Sequence, residues 1–251
     1  MGMIILKSKD EVAKIAYASK IVAEVLQVLK KNVKAGITTK ELDRIAEEYI
    51  INKKCIPAFK GYRNFPATLC VSINDEVVHG IPSKKKILKD CDIVGLDLGV
   101  IYDGFYGDAA LTVPVGDIPP ATQKLLRVTE ASLYAGIREA QVGQRLSNIS
   151  NAVQVCAEAY GYSLVTEFVG HGIGRSLHED PQVPNFGPPG KGPRLRAGMV
   201  LAIEPMVNMG KSEVRILEDK WTAVTLDHSL SAHFEHTVAI TENGPVILSC
   251  V

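Results

Sequence analysis

Residues 88–97 read Leu-Lys-Asp-Cys-Asp-Ile-Val-Gly-Leu-Asp, and residues 195–204 read Leu-Arg-Ala-Gly-Met-Val-Leu-Ala-Ile-Glu. Each opens on Leu and a basic residue and ends as an apolar run closed by an acid, and the two lie 107 positions apart. Gly36 and Gly143, each ahead of a helical pattern, are separated by the same 107. The tripeptide His-Gly-Ile also recurs, at His79 and His171, with an offset of 92. The Pro/Gly-rich segment Pro181–Pro193, which reads as a rigid surface loop, takes up the slip. These matches, in order, describe a duplicated half-domain. Asp97 and Glu204 then occupy equivalent places about a pseudo-twofold axis, and a shared site lies between the halves.

Outward from this repeat, helices precede strands twice over. Ser8-Lys9-Asp10-Glu11 forms a capping box, and Val12, Ile15, Ala16, Val22, Ala23, Leu26 and Leu29 follow at helical spacing. Thr38 to Glu41 reads as a second box before Leu42, Ile45, Ala46, Tyr49 and Ile50. A third helix is predicted from Pro119-Pro120 to about Ala140 and a fourth over Leu146 to Ala159. Strands are predicted at Leu69–Ile73, Ile93–Ile101, Leu111–Val115, Met199–Ile203, Val214–Leu217, Thr222–Leu226, Thr237–Ile240 and Val246–Leu248. This order predicts an α+β fold with helices on one face of an antiparallel sheet. Residues 1–251 are read as one domain with halves of about 8–115 and 119–249.

Tyr102-Asp103-Gly104-Phe105 is a hairpin turn. Pairing Tyr102 with Phe105 and counting outward sets Gly99 opposite Asp108, so Asp97 and Asp108 share a face. Gly99 is expected to leave empty space between them. Carboxylates this close repel unless a cation or a shared proton lies between. Glu204 closes an apolar strand and Glu235 opens another. His171 sits in Gly170-His171-Gly172-Ile173-Gly174, where glycines are expected to allow close backbone approach around the imidazole. Four carboxylates carry the charge that two divalent cations cancel. The set Asp97, Asp108, His171, Glu204 and Glu235 therefore suits a two-metal site, and its donors suit Mn, Fe, Co or Zn.

Composition narrows the field. In 251 residues, 28 Lys and Arg balance 28 Asp and Glu, which argues against sequence-specific nucleic-acid binding. No apolar run approaches the roughly 20 residues of a membrane span. Five scattered cysteines without a CxxC pair read as reduced thiols of a cytoplasmic protein.

The run Ile73 to Pro82, the pair Asp97 and Asp108, the motif 170–174, Ile203-Glu204-Pro205-Met206 and Glu235-His236-Thr237 together resemble the type I methionine aminopeptidases along essentially the whole chain. The resemblance implies a pita-bread fold and removal of the initiator methionine from nascent polypeptides whose second residue is small and uncharged. It implies that Asp97 chelates one cation, that His171 and Glu204 hold the other, and that Asp108 and Glu235 bridge. Glu204 would also pass a proton, and His79 and His178 would contact the substrate, His178 at the scissile carbonyl. Cys55, Tyr62, Phe65, Cys70, Leu177 and Trp221 would build the methionine pocket, with Phe65 replacing a usual Tyr and Leu177 a usual Phe. Asn74, Glu76 and Ser231 match a monovalent-cation loop. A monomer in transient contact with the ribosome is expected. Three relatives compete. Proline-specific pita-bread peptidases carry a preceding domain, and a binding protein of this fold would lack ligands. A type II enzyme would need a long insertion between Glu204 and Glu235, which are only 31 residues apart.

Overall fold

The computed structural model describes residues 3–250. Its elements, in chain order, are α1 (Lys9–Asn32), α2 (Thr39–Asn52), β1 (Ile56–Pro57), β2 (Cys70–Ile73), β3 (Glu76–Val78), β4 (Ile93–Tyr102), β5 (Phe105–Pro114), α3 (Pro120–Glu139), α4 (Leu146–Glu158), β6 (Ser163–Leu164), β7 (Gly170–Gly172), β8 (Glu179–Val183), β9 (Val200–Ile203), β10 (Met206–Asn208), β11 (Val214–Ile216), β12 (Ala223–Thr225), β13 (Ser231–His233), β14 (Glu235–Thr241) and β15 (Gly244–Ile247). The α+β class and all four helices agree with the sequence pattern. Ser8 and Glu11 cap α1 reciprocally, as a capping box requires. At α2 only half the box forms: Thr38 accepts from the Glu41 N–H, whereas the Glu41 carboxylate turns to Arg44.

Nine strands form one sheet, ordered β1-β4-β5-β14-β9-β7-β8, with β2 also on β4 and β15 also on β14; every pairing is antiparallel. All helices lie on one face. Val22, Leu26 and Leu29 of α1 and Leu42, Ala46 and Ile50 of α2 pack on Leu96, Leu98 and Val100 of β4. Leu133 and Ile137 of α3 and Leu146 and Ile149 of α4 pack on Leu201, Ile203, Val238 and Ile240. Full burial of each such side chain is worth about 1.5–3 kcal/mol. Because side chains alternate, the odd positions of β4 and β14 and the even positions of β5 and β9 face away from the helices.

The repeat at offset 107 is visible in backbone detail. Gly36 N–H donates to Leu88 O and Leu88 N–H to Ile37 O; Gly143 N–H donates to Leu195 O and Leu195 N–H to Gln144 O. Isolated bridges join Thr38 to Ile87 and Arg145 to Arg194. The His-Gly-Ile match does not belong to this set. His171 sits inside β7, whereas His79 follows β3 in the left-handed region at φ 61°. The expected loop 181–193 also starts too early, since Pro181 to Val183 complete β8 against β7.

Two small sheets finish the molecule, ordered β13-β10-β6 and β11-β12-β3. The second joins β3, just before His79, to β12, just after Trp221. No described helix is long and apolar enough to cross a membrane.

Candidate active site

Sheet register brings the five ligand-type residues into two adjacent rows on the face away from the helices. In the first row Asp97 pairs with Ala110, and Ala110 pairs with Glu235. The β14–β9 register, His236 opposite Ile203, carries the row on to Glu204, one residue past β9. In the second row Gly99 pairs with Asp108, Thr237 with Ala202 and Ala202 with His171. Thr237 Oγ1 joins Asp108 to this row, donating to Asp108 O at 2.6 Å and accepting from its N–H at 3.1 Å.

Donor atoms of Asp108, His171 and Glu235 all lie within 4.8 Å of one another. Asp97 and Glu204 stand outside that trio but line the same cavity. Glu204 Oε1 is 3.4 Å from His171 Nε2. Asp97 Oδ1, Asp108 Oδ1 and Glu235 Oε1 are buried without a hydrogen-bond partner. Such atoms are costly unless a cation or a proton satisfies them. Burial raises Asp97 to about 7, and burial followed by mutual repulsion raises Asp108, Glu204 and Glu235 well above the carboxylate range. Burial holds His171 neutral, down to about 3. Carboxylates that strain to protonate, beside a neutral imidazole, form a donor set that fits divalent cations.

The flanking glycines do permit close backbone approach around His171. A Cβ on Gly170 would stand 2.4 Å from Ala202 O, and one on Gly172 would stand 2.4 Å from Asp180 O, so β7 lies tightly between its neighbours. The space expected over Gly99, by contrast, is filled, since a Cβ there would meet the Phe59 ring at 2.9 Å.

Above the rows lies a cavity of about 280 Å³ lined by Tyr62, Phe65, Cys70, His79, Leu177, His178 and Trp221, with Phe59, Arg63 and Phe168. Phe65 meets Trp221 edge-on at 5.1 Å, and the His79 ring meets Phe168 edge-on at 5.3 Å. Burial, and then the neighbouring His178, lowers His79 to about 4, so it is neutral. Tyr62 OH is 2.8 Å from His178 Nδ1, and the two rings stack. Burial, then Arg63, lowers His178.

Known proteins share this fold and much of its sequence. Metallopeptidase family M24 matches residues 13–242. The methionine aminopeptidase of Clostridium perfringens is 56% identical over 99% of this chain and 100% of its own. The chain belongs to metallopeptidase family M24, among the methionine aminopeptidases. The crystal structure of the Thermotoga maritima methionine aminopeptidase superposes with a TM-score of 0.98 at 46% identity, over 99% of this chain and 100% of that one. The Pyrococcus furiosus prolidase reaches a TM-score of 0.80 at 22% identity, over 98% of this chain and 66% of that one, a likeness of fold alone. The pita-bread fold expected from the sequence is thus the fold of this M24 chain.

One residue of the expected methionine pocket lies elsewhere. Cys55 is buried with α1, α2 and Leu69 in the core under the sheet, and its thiol faces Lys53 O at 3.6 Å. Strand β1 runs outward along β4 directly after it, so Phe59 is the residue of this segment that reaches the cavity. The signal for Phe59 was Gly99, a bare position in a buried strand that needs an aromatic cover. Phe168, Arg63 and His233 carried no such signal. Asn74, Glu76 and Ser231 do come together: Asn74 O accepts from Ser231 N–H at 2.9 Å, the Glu76 carboxylate takes Ile73 N–H and Lys86, and Ser231 Oγ is buried without a hydrogen-bond partner.

Proposed function

We propose that this M24 enzyme is a dinuclear aminopeptidase that removes the initiator methionine from nascent polypeptides when the second residue is small and uncharged. The observation that carries this reading is the pair of ligand rows at the floor of a small, aromatic-lined cavity. Asp97, Asp108, Glu235, Glu204 and His171 would hold two cations, Mn, Fe, Co or Zn. When bound, these would polarise the scissile carbonyl and acidify water at neutral pH. A monovalent cation near Asn74, Glu76 and Ser231 is a lesser part of the reading. We place the enzyme in the cytoplasm as a monomer in transient contact with the ribosome, working as a single domain over 1–251.

The chain's own groups divide the work. With Tyr62 OH, 2.8 Å away, donating to His178 Nδ1, the Nε2–H of His178 would be left as donor to the carbonyl oxygen as charge develops there. His79, neutral, bonds the peptide nitrogen region. Glu204 takes a proton from water and delivers it to the leaving amine. Phe59, Phe65, Cys70, Leu177 and Trp221 close an apolar pocket in which a thioether is at home and an unpaired charge is not. A long second side chain would push the carbonyl away from His178, and a misplacement of about 1 Å costs on the order of 10²-fold.

A peptide panel tests the reading. Met-Ala-Ser and Met-Gly-Ser should be cleaved and Met-Lys-Ser refused, with activity lost on chelation and restored by Mn or Co. Cleavage of X-Pro peptides in place of Met-Ala-Ser would move the chain to the proline-specific branch.

A further inference from the structure

His233 takes no part in the reading above, yet it is the buried imidazole that faces the other side of Glu204. Its Nε2 is 3.8 Å from Glu204 Oε2, while Glu204 Oε1 is 3.4 Å from His171 Nε2. The two oxygens of one carboxylate thus face two different histidines. His233 is 4% exposed, and its Nε2 has no hydrogen-bond partner among the described residues. Buried polar atoms are nearly always paired. A side-chain adjustment of about 1 Å brings this pair to the hydrogen-bond distance of about 2.9 Å.

We propose that His233 is a positioning residue whose Nε2–H holds Glu204 Oε2, so that the carboxylate cannot rotate and Oε1 stays beside His171. Both partners stand on rigid backbone. Thr112 Oγ1 clamps the His233 peptide, accepting from its N–H at 2.9 Å and donating to its carbonyl at 2.8 Å. His233 also pairs with Met206 in the β10–β13 ladder, two residues beyond Glu204. On the other flank Asn185 Nδ2 donates to Glu204 O at 3.0 Å. With the backbone pinned at both ends, the one freedom left to Glu204 is rotation of its side chain, and His233 is placed to stop it.

The inference rests on the aminopeptidase reading. Wild-type turnover of Met-Ala-Ser tests that reading, whereas comparison of variants at position 233 tests the inference. His233→Leu keeps volume and removes the donor; His233→Gln keeps an N–H donor of similar reach. In manganese-loaded protein, His233→Leu should lower kcat by about 10- to 100-fold with KM and metal stoichiometry unchanged, the usual cost of losing a partner that orients a ligand. His233→Gln should restore most of that loss. Crystal structures of the loaded proteins should find the Glu204 carboxylate rotated in His233→Leu and unmoved in His233→Gln. Equal kcat in the two variants, an unmoved carboxylate in His233→Leu, or loss of a metal ion in His233→Leu would each overturn the proposal. If His233→Leu does not fold, His233→Asn, whose amide is too short to reach, replaces it in the same comparison.

Discussion

His178 is a residue with two polar atoms and two assignments, and its usefulness depends on which nitrogen keeps the proton. In the function proposed above, Tyr62 OH, 2.8 Å from Nδ1, is the donor to that nitrogen and the proton stays on Nε2. Tyr62→Phe removes the hydroxyl and leaves the ring stack in place, so the substrate pocket keeps its shape while the tautomer is no longer fixed. We expect kcat to fall by roughly fivefold, the worth of one hydrogen bond of about 1 kcal/mol, with KM little changed. Steady-state kinetics on Met-Ala-Ser checks this, and an unchanged kcat would remove Tyr62 from the assignment. At this scale the sequence was most informative where a residue was out of keeping with its surroundings. Acids inside apolar strands, as at Asp97, Glu204 and Glu235, and a histidine among glycines at His171, announce themselves. His233 and Phe168 do not, because a histidine or a phenylalanine in an apolar segment has an ordinary core explanation. Cys55 misled for the complementary reason: a soft side chain suits a thioether pocket and a core equally well.

Among the elements, the segment ahead of α1 has a hold on the loop that carries His178. Lys7 Nζ is 2.6 Å from Glu179 Oε2, with both side chains almost wholly buried, and Lys7 N–H donates to Gly198 O at 2.7 Å. Glu179 Oε1 in turn accepts from Ser176 N–H at 3.1 Å, closing the turn in which His178 stands. Lys7→Met strands a buried carboxylate, and breaking such a pair from one side costs about 3–5 kcal/mol. Denaturant unfolding should register that loss. Restoration of stability by Lys7→Met with Glu179→Gln would identify the stranded charge as its cause, and a single variant as stable as wild type would exclude the clamp. The four helices were legible because periodicity needs length; β4 was legible as an apolar run and β5 through the Asp103-Gly104 turn, although the strand expected at Leu111–Val115 is only the far part of β5. Strands β3, β7, β10 and β13, of three residues each, are too short to have a period, and their pairing partners come from distant parts of the chain.

For the whole molecule, protons and cations compete for one cluster. Asp97, Asp108, Glu204 and Glu235 are all raised in the folded protein, chiefly by burial. A group with a raised folded pKa contributes stability below its unfolded value, near 4, and loses it as pH climbs through the folded value, about 7 for Asp97. Metal-free protein should therefore weaken between pH 5 and pH 8, while protein with its cations has no such repulsion to relieve. The neutral histidines act with the opposite sign in both forms, and the difference between the forms cancels them. Calorimetry with and without chelator should find the gap in Tm wider at pH 8 than at pH 5; a gap of equal size at both would mean the four acids are not in competition for cations. The site also draws on the entire length of the polypeptide. Strand β14 lies between β5 and β9, so Glu235 completes a row begun at Asp97, and Thr237 reaches back 129 positions to Asp108. A chain whose translation stops short of β14 leaves β5, with Asp108, and β9-β7, with His171, without the strand that joins them. Abortive fragments are then expected to be inert and not merely feeble peptidases, so that a cell that stalls while making this protein would release no half-made enzyme able to trim its neighbours.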